Sequence, residues 1–207
     1  MITVHPDPFP HAVEDGLWDN ADLYAAMNAF PPPQHPIWRR FANDREVKFG
    51  STGPTTSLPM PVQRVLAKLH DPEWCGLLGM AFNIPGLTAD IWGGGMHMIP
   101  PGGKLDMHVD FNQHHNGLYR RINCLVYLNL GWKPEHGGQL YLGAEREVTV
   151  EPVFNRTAMF ATSDTSWHGH PEPTSEGFWR KSLAVYYYSP EPAPTFDQPH
   201  DTIFLGV

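Results

Sequence analysis

A mainly β fold is predicted by three features of this sequence. The 22 prolines and 19 glycines among its 207 residues interrupt any long helix. Helix-compatible patterns are confined to the first half of the chain. From Ala89 onward, short runs of β-branched, aromatic and aliphatic residues alternate with turn residues. Seven or so short strands after N-terminal helices predict two facing sheets, a double-stranded β-helix of jelly-roll or cupin-like form with the helices packed outside. A hydrophobic content of 41% supports a single core-forming domain over 1–207, helical over about 1–88 and β over about 89–190.

Each element has a local reason. Residues 20–30 (NADLYAAMNAF) are good helix formers and stop at Pro31-Pro32-Pro33. The polar, irregular stretch 38–57 reads as a loop or lid. Residues 61–71 open with a proline, which a first helical turn tolerates. Asp71 then caps a second helix that has Pro72 at its first position. Strands are expected at 89–99, 105–111, 121–130, 139–142, 148–151, 157–162 and 181–188.

Strand parity locates a cavity. Within 121–130, Ile122, Cys124, Val126 and Leu128 form an apolar face for the core. The opposite face carries Arg121, Asn123, Leu125, Tyr127 and Asn129, the mixed character of a cavity lining. Asn123 and Arg121 therefore point inward, Arg121 either gripping an acidic substrate group or closing a structural salt bridge. On the last strand Arg180 and Ser182 share a face. An arginine pointing into a barrel requires an anionic partner, because an unpaired buried charge is costly.

Charge and cysteine content exclude several function classes. A net charge of −8 argues against nucleic acid as a partner. The two cysteines, Cys75 and Cys124, form neither a disulfide framework nor a zinc pattern. No basic leader with an apolar stretch is present, and no apolar run approaches the roughly 20 residues of a membrane span. These features together predict a cytoplasmic protein without a membrane partner.

The most informative residues are His108-Val109-Asp110, followed by His168 and Arg180. Side chains at i and i+2 of a strand share a face, so His108 and Asp110 can reach one metal. Two histidines and a carboxylate occupy one face of an octahedral ferrous ion and leave three positions open. A 2-oxo acid can take two of these and dioxygen the third. His170 is a rival to His168, since it would share its face, and it otherwise either lines the substrate cavity or caps a loop. Asn112 either orients a ligand or stabilises the turn after Phe111. His114, His115 and His136 fall in expected loops and read as solvent-exposed, while Trp92, Trp167 and Trp179 read as core aromatics. The Gly93-Gly94-Gly95 run reads as flexible backbone at a cavity mouth.

Five segments in order, GGGMHMIPPGGKLDMHVDFN, RRINCLVYLN, HGGQLYLG, SWHGHPEP and RKSLAVYYY, span about 93–188. Together they resemble the prolyl-4-hydroxylase-like group of iron(II)- and 2-oxoglutarate-dependent oxygenases. The segment DPFPHAVEDGLW also resembles the opening of many bacterial members. The resemblance implies that His108, Asp110 and His168 bind Fe(2+). It implies that Tyr127 and Arg180 hold the distal carboxylate of 2-oxoglutarate, with Ser182 completing an R-x-S arrangement. Met98 stands where related hydroxylases often carry a tyrosine toward the cosubstrate, a hydrogen bond that methionine cannot make.

The implied reaction uses O2 to decarboxylate 2-oxoglutarate to succinate and carbon dioxide while oxidising an unactivated C–H bond. Related halogenases have a small residue at the Asp110 position, so the retained carboxylate points to hydroxylation, desaturation or ring formation. A small-molecule or amino-acid-derived substrate is favoured, because little chain is left for a separate peptide-binding module. A peptidyl hydroxylase and a non-catalytic cupin-like metal-binding protein are the alternatives.

Overall fold

The chain folds into two facing antiparallel sheets preceded mainly by helices; the structure, a computed structural model, describes residues 2–206. In order, the elements are β1 (His11–Asp15), α1 (Asn20–Asn28), β2 (Trp38–Ala42), β3 (Val47–Ser51), α2 (Met60–Leu69) and α3 (Pro72–Phe82). They continue with β4 (Thr88–Ile99), β5 (Leu105–Val109), β6 (Tyr119–Tyr127), β7 (Leu140–Leu142) and β8 (Val148–Val150). The last are β9 (Arg156–Ala161), β10 (His168–His170), β11 (Arg180–Ser189) and β12 (Ile203–Phe204). The larger sheet has the order β1-β9-β6-β11-β4-β3-β2, and the smaller β12-β5-β10-β7-β8. The double-sheet architecture and its preceding helices are those the sequence predicts.

The helices cover the outer face of the larger sheet. In α2, Val62, Val65, Leu66 and Leu69 recur at helical spacing and are fully buried. They pack with Met96, Ile122, Val126, Leu183 and Val185 from the sheet. Each such side chain contributes about 1.5–3 kcal/mol by leaving water. Asp19 and Asp71 cap α1 and α3 through their carboxylates, and Asn83 ends α3 in the left-handed region. A second apolar layer joins the sheets, with Tyr127, Ala158 and Phe160 meeting Leu140, Leu142 and Val150.

Three expectations are corrected. The 38–57 stretch is not a loop: 38–51 forms the β2–β3 hairpin, which extends the larger sheet beyond β4. Its connecting turn also leans on the smaller sheet, where Val47 N–H donates to Lys104 O and Asp106 N–H to Arg45 O. The hairpin thus bridges the two sheets at one end. Second, β1 pairs with β9 in the part of the chain read as helical.

The third correction concerns the strand placed at 121–130, which runs Tyr119–Tyr127 and carries a β-bulge. Tyr187 pairs with Ile122, but Tyr188 pairs with Arg120, leaving Arg121 as the extra residue. Parity reverses across that point. Arg120, not Arg121, joins Asn123 on the inner face.

Candidate active site

The strand register brings the metal-binding residues together. His168 on β10 is directly opposite His108 on β5, and their rings lie 4.3 Å apart, centre to centre. Asp110 follows β5 and reaches both, with Oδ1 3.6 Å from His108 Nε2 and Oδ2 3.1 Å from His168 Nε2. One ligand atom from each of the three residues falls within 4.8 Å of the others, the only such group among the described residues. The tautomers are set from behind. His108 Nδ1 is 2.8 Å from Asp106 O and His168 Nδ1 2.9 Å from Ser166 O. A carbonyl accepts, so each Nδ1 carries the proton and each Nε2 turns a lone pair toward Asp110. Two nitrogen lone pairs and an anionic oxygen converging in a buried space form a donor set for a divalent metal.

Asp110 is ionised by its surroundings. Burial would raise its carboxyl, but the Arg120 guanidinium, ahead of the histidines, holds it well below the usual carboxylate range. Arg120 Nη2 lies 2.9 Å from Asp110 Oδ2, and Asn123 Nδ2 donates to the same oxygen at 2.8 Å. Burial, followed by the neighbouring His168, pushes the His108 imidazole below its ordinary value, so it stays neutral and able to ligate.

A second polar group sits deeper in the chamber. Arg180, at the start of β11, is buried and has no carboxylate partner among the described residues. Its Nη2 donates to Tyr127 Oη at 3.3 Å, while its Nε has no partner. Ser182 pairs with Tyr127 on one side and His97 on the other, which places Ser182 in the chamber wall beside Arg180. On β4, His97 and Ile99 line the chamber, whereas Met98 is paired with Lys181 and faces away. Met98 is thus not the lining residue, and His97 takes its place. Burial, aided by the Lys48 charge, pushes His97 down to about 3. His170 also lines the chamber, with Nδ1 unpartnered, and burial followed by Arg180 and Lys48 holds it well below its ordinary value.

Residues 94–188 match the family model of the 2OG-Fe(II) oxygenase superfamily. That segment, which carries the metal triad, is an oxygenase domain of that superfamily. The oxygenase uses Fe(II) and 2-oxoglutarate, together with the O2 inherent in this chemistry. Its fold is similar to a Pseudomonas putida prolyl-4-hydroxylase, at 16% identity and a TM-score of 0.65 over 86% of this chain and 92% of that one. A Trichoplax adhaerens prolyl hydroxylase, in complex with a hypoxia inducible factor peptide fragment, gives 16% and 0.65 over 86% and 83%. HygX from Streptomyces hygroscopicus, with nickel, 2-oxoglutarate and hygromycin B bound, gives 14% and 0.53 over 90% and 85%. No curated protein sequence matches the chain significantly.

Outside the metal chamber, the oxygenase has a cleft of about 580 Å³ between the β2–β3 hairpin and β4. Lys48 and His97 line both spaces and mark the passage between them. Gly93 and Gly94 line the rim of the cleft. Between Gly95 and Asp90 the β4–β11 ladder is interrupted, and a Cβ on Gly94 would come within 2.6 Å of Ala184 O. Trp92 is a rim residue, 45% exposed, packed edge-on against Phe111 and His114. That exposure corrects its reading as a core aromatic. His114, expected in solvent, is buried beneath it.

Two other candidates lie elsewhere. Arg121 Nη1 donates to Ser189 Oγ at 3.2 Å and to Glu191 O at 2.8 Å, away from the cavity. Asn112 ties the turn to the C-terminal segment. Its Nδ2 donates to Gln198 O at 2.9 Å, and its Oδ1 accepts from His200 N–H at 3.0 Å. That segment then adds β12 to the edge of β5, setting Phe204 against His108. Among the described residues, no helix is long and apolar enough to cross a membrane.

Proposed function

We propose that the chain hydroxylates an unactivated C–H bond of a residue within a peptide, proline foremost, with release of succinate and carbon dioxide. The observation that carries the cosubstrate assignment is Arg180, a buried guanidinium with a free Nε and no carboxylate partner among the described residues. The distal carboxylate of 2-oxoglutarate supplies that partner in a planar, two-point contact. Tyr127 Oη and the Ser182 hydroxyl donate beside it, and the neutral His170 ring adds a nitrogen to the same wall. Asn123 acts on the cosubstrate side only through Asp110. When bound, the iron and 2-oxoglutarate activate dioxygen for C–H oxidation. His108, Asp110 and His168 hold the metal, and the chamber walls keep water from the reacting carbon.

The peptide reading is supported by the two described neighbours at TM-score 0.65, both prolyl hydroxylases, and by the open cleft beside β2–β3. This reverses the preference for a small molecule drawn from chain length. The small-molecule reading has its own support in HygX, which is described with hygromycin B bound.

Mixing the protein anaerobically with Fe(II) and 2-oxoglutarate is expected to give a visible charge-transfer band. Admitting oxygen with proline-containing peptides should then yield succinate and a peptide carrying one added oxygen atom. Turnover confined to free metabolites would overturn the peptide reading. Absence of both the band and oxygen-dependent succinate would sink the oxygenase function itself.

A further inference from the structure

Arg120 is 2% exposed and is fixed on every side. Its Nη2 meets Asp110 Oδ2 at 2.9 Å, and its Nε donates to Asn123 Oδ1 at 2.9 Å. Its Cζ lies 3.4 Å from the Tyr186 ring centre and 4.5 Å from that of Phe111. Asn123 closes the triangle by donating Nδ2 to the same Asp110 oxygen at 2.8 Å. A solvent-exposed ion pair would be worth little, since water screens it and two long side chains must be immobilised. Here the guanidinium is desolvated and held against two aromatic faces. Among the described residues Asp110 is its one carboxylate partner.

An isolated carboxylate can rotate about its Cβ–Cγ bond and offer a metal either or both oxygens. Oδ2 of Asp110 takes two donors from β6 and lies 3.1 Å from His168 Nε2, whereas Oδ1 lies 3.6 Å from His108 Nε2 and takes neither β6 donor, which leaves Oδ1 for ligation. One-oxygen ligation also preserves the three open positions that a two-histidine, one-carboxylate site offers. We propose that Arg120 is a positioning residue of the metal centre: with Asn123, it holds one Asp110 oxygen so that the carboxylate engages the metal through the other alone. This rests on the assignment of His108, Asp110 and His168 as metal ligands. The β-bulge at Arg121 is what turns Arg120 inward beside Asn123. A carboxylate's supporting partners outside the ligand set typically contribute 10–100-fold to metal affinity.

Calorimetric titration of Co(II) into the metal-free wild type, Arg120→Gln, Arg120→Lys and Asn123→Ala tests this. Arg120→Gln is expected to lose on the order of 10–100-fold in Co(II) affinity and to weaken the anaerobic Fe(II)–2-oxoglutarate band. Arg120→Lys should recover part of the loss, because it restores the charge without the planar fork. Asn123→Ala should lose less than Arg120→Gln. Affinity of the Co(II)-saturated proteins for 2-oxoglutarate should stay within about twofold of wild type, since Arg180 is untouched. Thermal melts of the metal-free variants report folding, and if Arg120→Gln does not fold, the Lys and Asn123 variants decide the matter. Unchanged Co(II) affinity in the folded Arg120 variants overturns the proposal. Unchanged Co(II) affinity with weakened 2-oxoglutarate binding would assign Arg120 to the cosubstrate instead. A wild type that binds neither Co(II) nor Fe(II) would bring down the oxygenase reading itself.

Discussion

Two buried arginines in this protein do different work, and the difference lies in their partners. Arg120 has an internal carboxylate in Asp110, whereas Arg180 faces a tyrosine hydroxyl and leaves Nε unpaired. Arg180→Met is therefore expected to weaken 2-oxoglutarate binding about 30-fold or more, the 2–5 kcal/mol that loss of a buried charge partner typically costs. Co(II) affinity should be unchanged, and Arg180→Lys should recover part of the loss as a point charge without the planar fork. Steady-state kinetics beside a Co(II) titration check this, and an unaltered 2-oxoglutarate requirement would undo the cosubstrate assignment. Asp110→Ala should abolish turnover and also lower the melting temperature, because it leaves the buried Arg120 guanidinium without its carboxylate, which a succinate assay and thermal melts together report. His108 and Asp110 were legible in the sequence because an H-x-D pair on a strand carries a local pattern, whereas His168 and Arg180 were singled out from their neighbours only by the family resemblance. Arg120 was not legible, because its direction depends on a bulge set by pairing with β11. His97 was hidden similarly: counting back from His108 picks Met98, but the pairing of His97 with Ser182 turns His97 inward.

At the scale of elements, legibility follows length and periodicity. The longer strands β4, β6 and β11 run nine to twelve residues, long enough for strand character to register despite their bulges, and the helices show caps and prolines. By contrast β10 has three residues and β12 two, too few for any period to register. β12 is held by tertiary contacts, chief among them Asn112. The Asn112 amide also donates to Asp164 Oδ1 at 3.1 Å, and His200 Nε2 lies 3.2 Å from that oxygen. Asn112→Ala would leave the Gln198 carbonyl and the His200 N–H unpaired, at a cost of about 1–3 kcal/mol. Amide exchange across 200–205 is expected to accelerate about tenfold or more, the equivalent of about 1.4 kcal/mol in opening. Equal protection in the variant and wild type would show that pairing with β5 alone retains the strand.

For the whole molecule, the double-sheet arrangement was legible in the spacing of turns, while the acid response emerges only from how the sheets enclose their histidines. His97 is held at about 3, and His170 well below the ordinary 6.5, chiefly by burial in both cases. In the unfolded chain each ring takes up a proton near 6.5. Between there and about 3, the unfolded state binds more protons than the folded one, so stability rises with pH and is lost on acidification. The slope reaches about 1.4 kcal/mol per pH unit for each histidine kept neutral. Asp110 acts with the same sign but later, because an unfolded carboxylate at 3.8 begins to protonate only below the start of that window. Melting temperatures of the metal-free protein should accordingly be level above neutrality and fall as pH drops below 6.5. His97→Gln, which removes one of these proton sites from the unfolded chain, should flatten the fall. A profile parallel to that of wild type would mean that the His97 ring becomes protonated in the folded protein as readily as in the unfolded one.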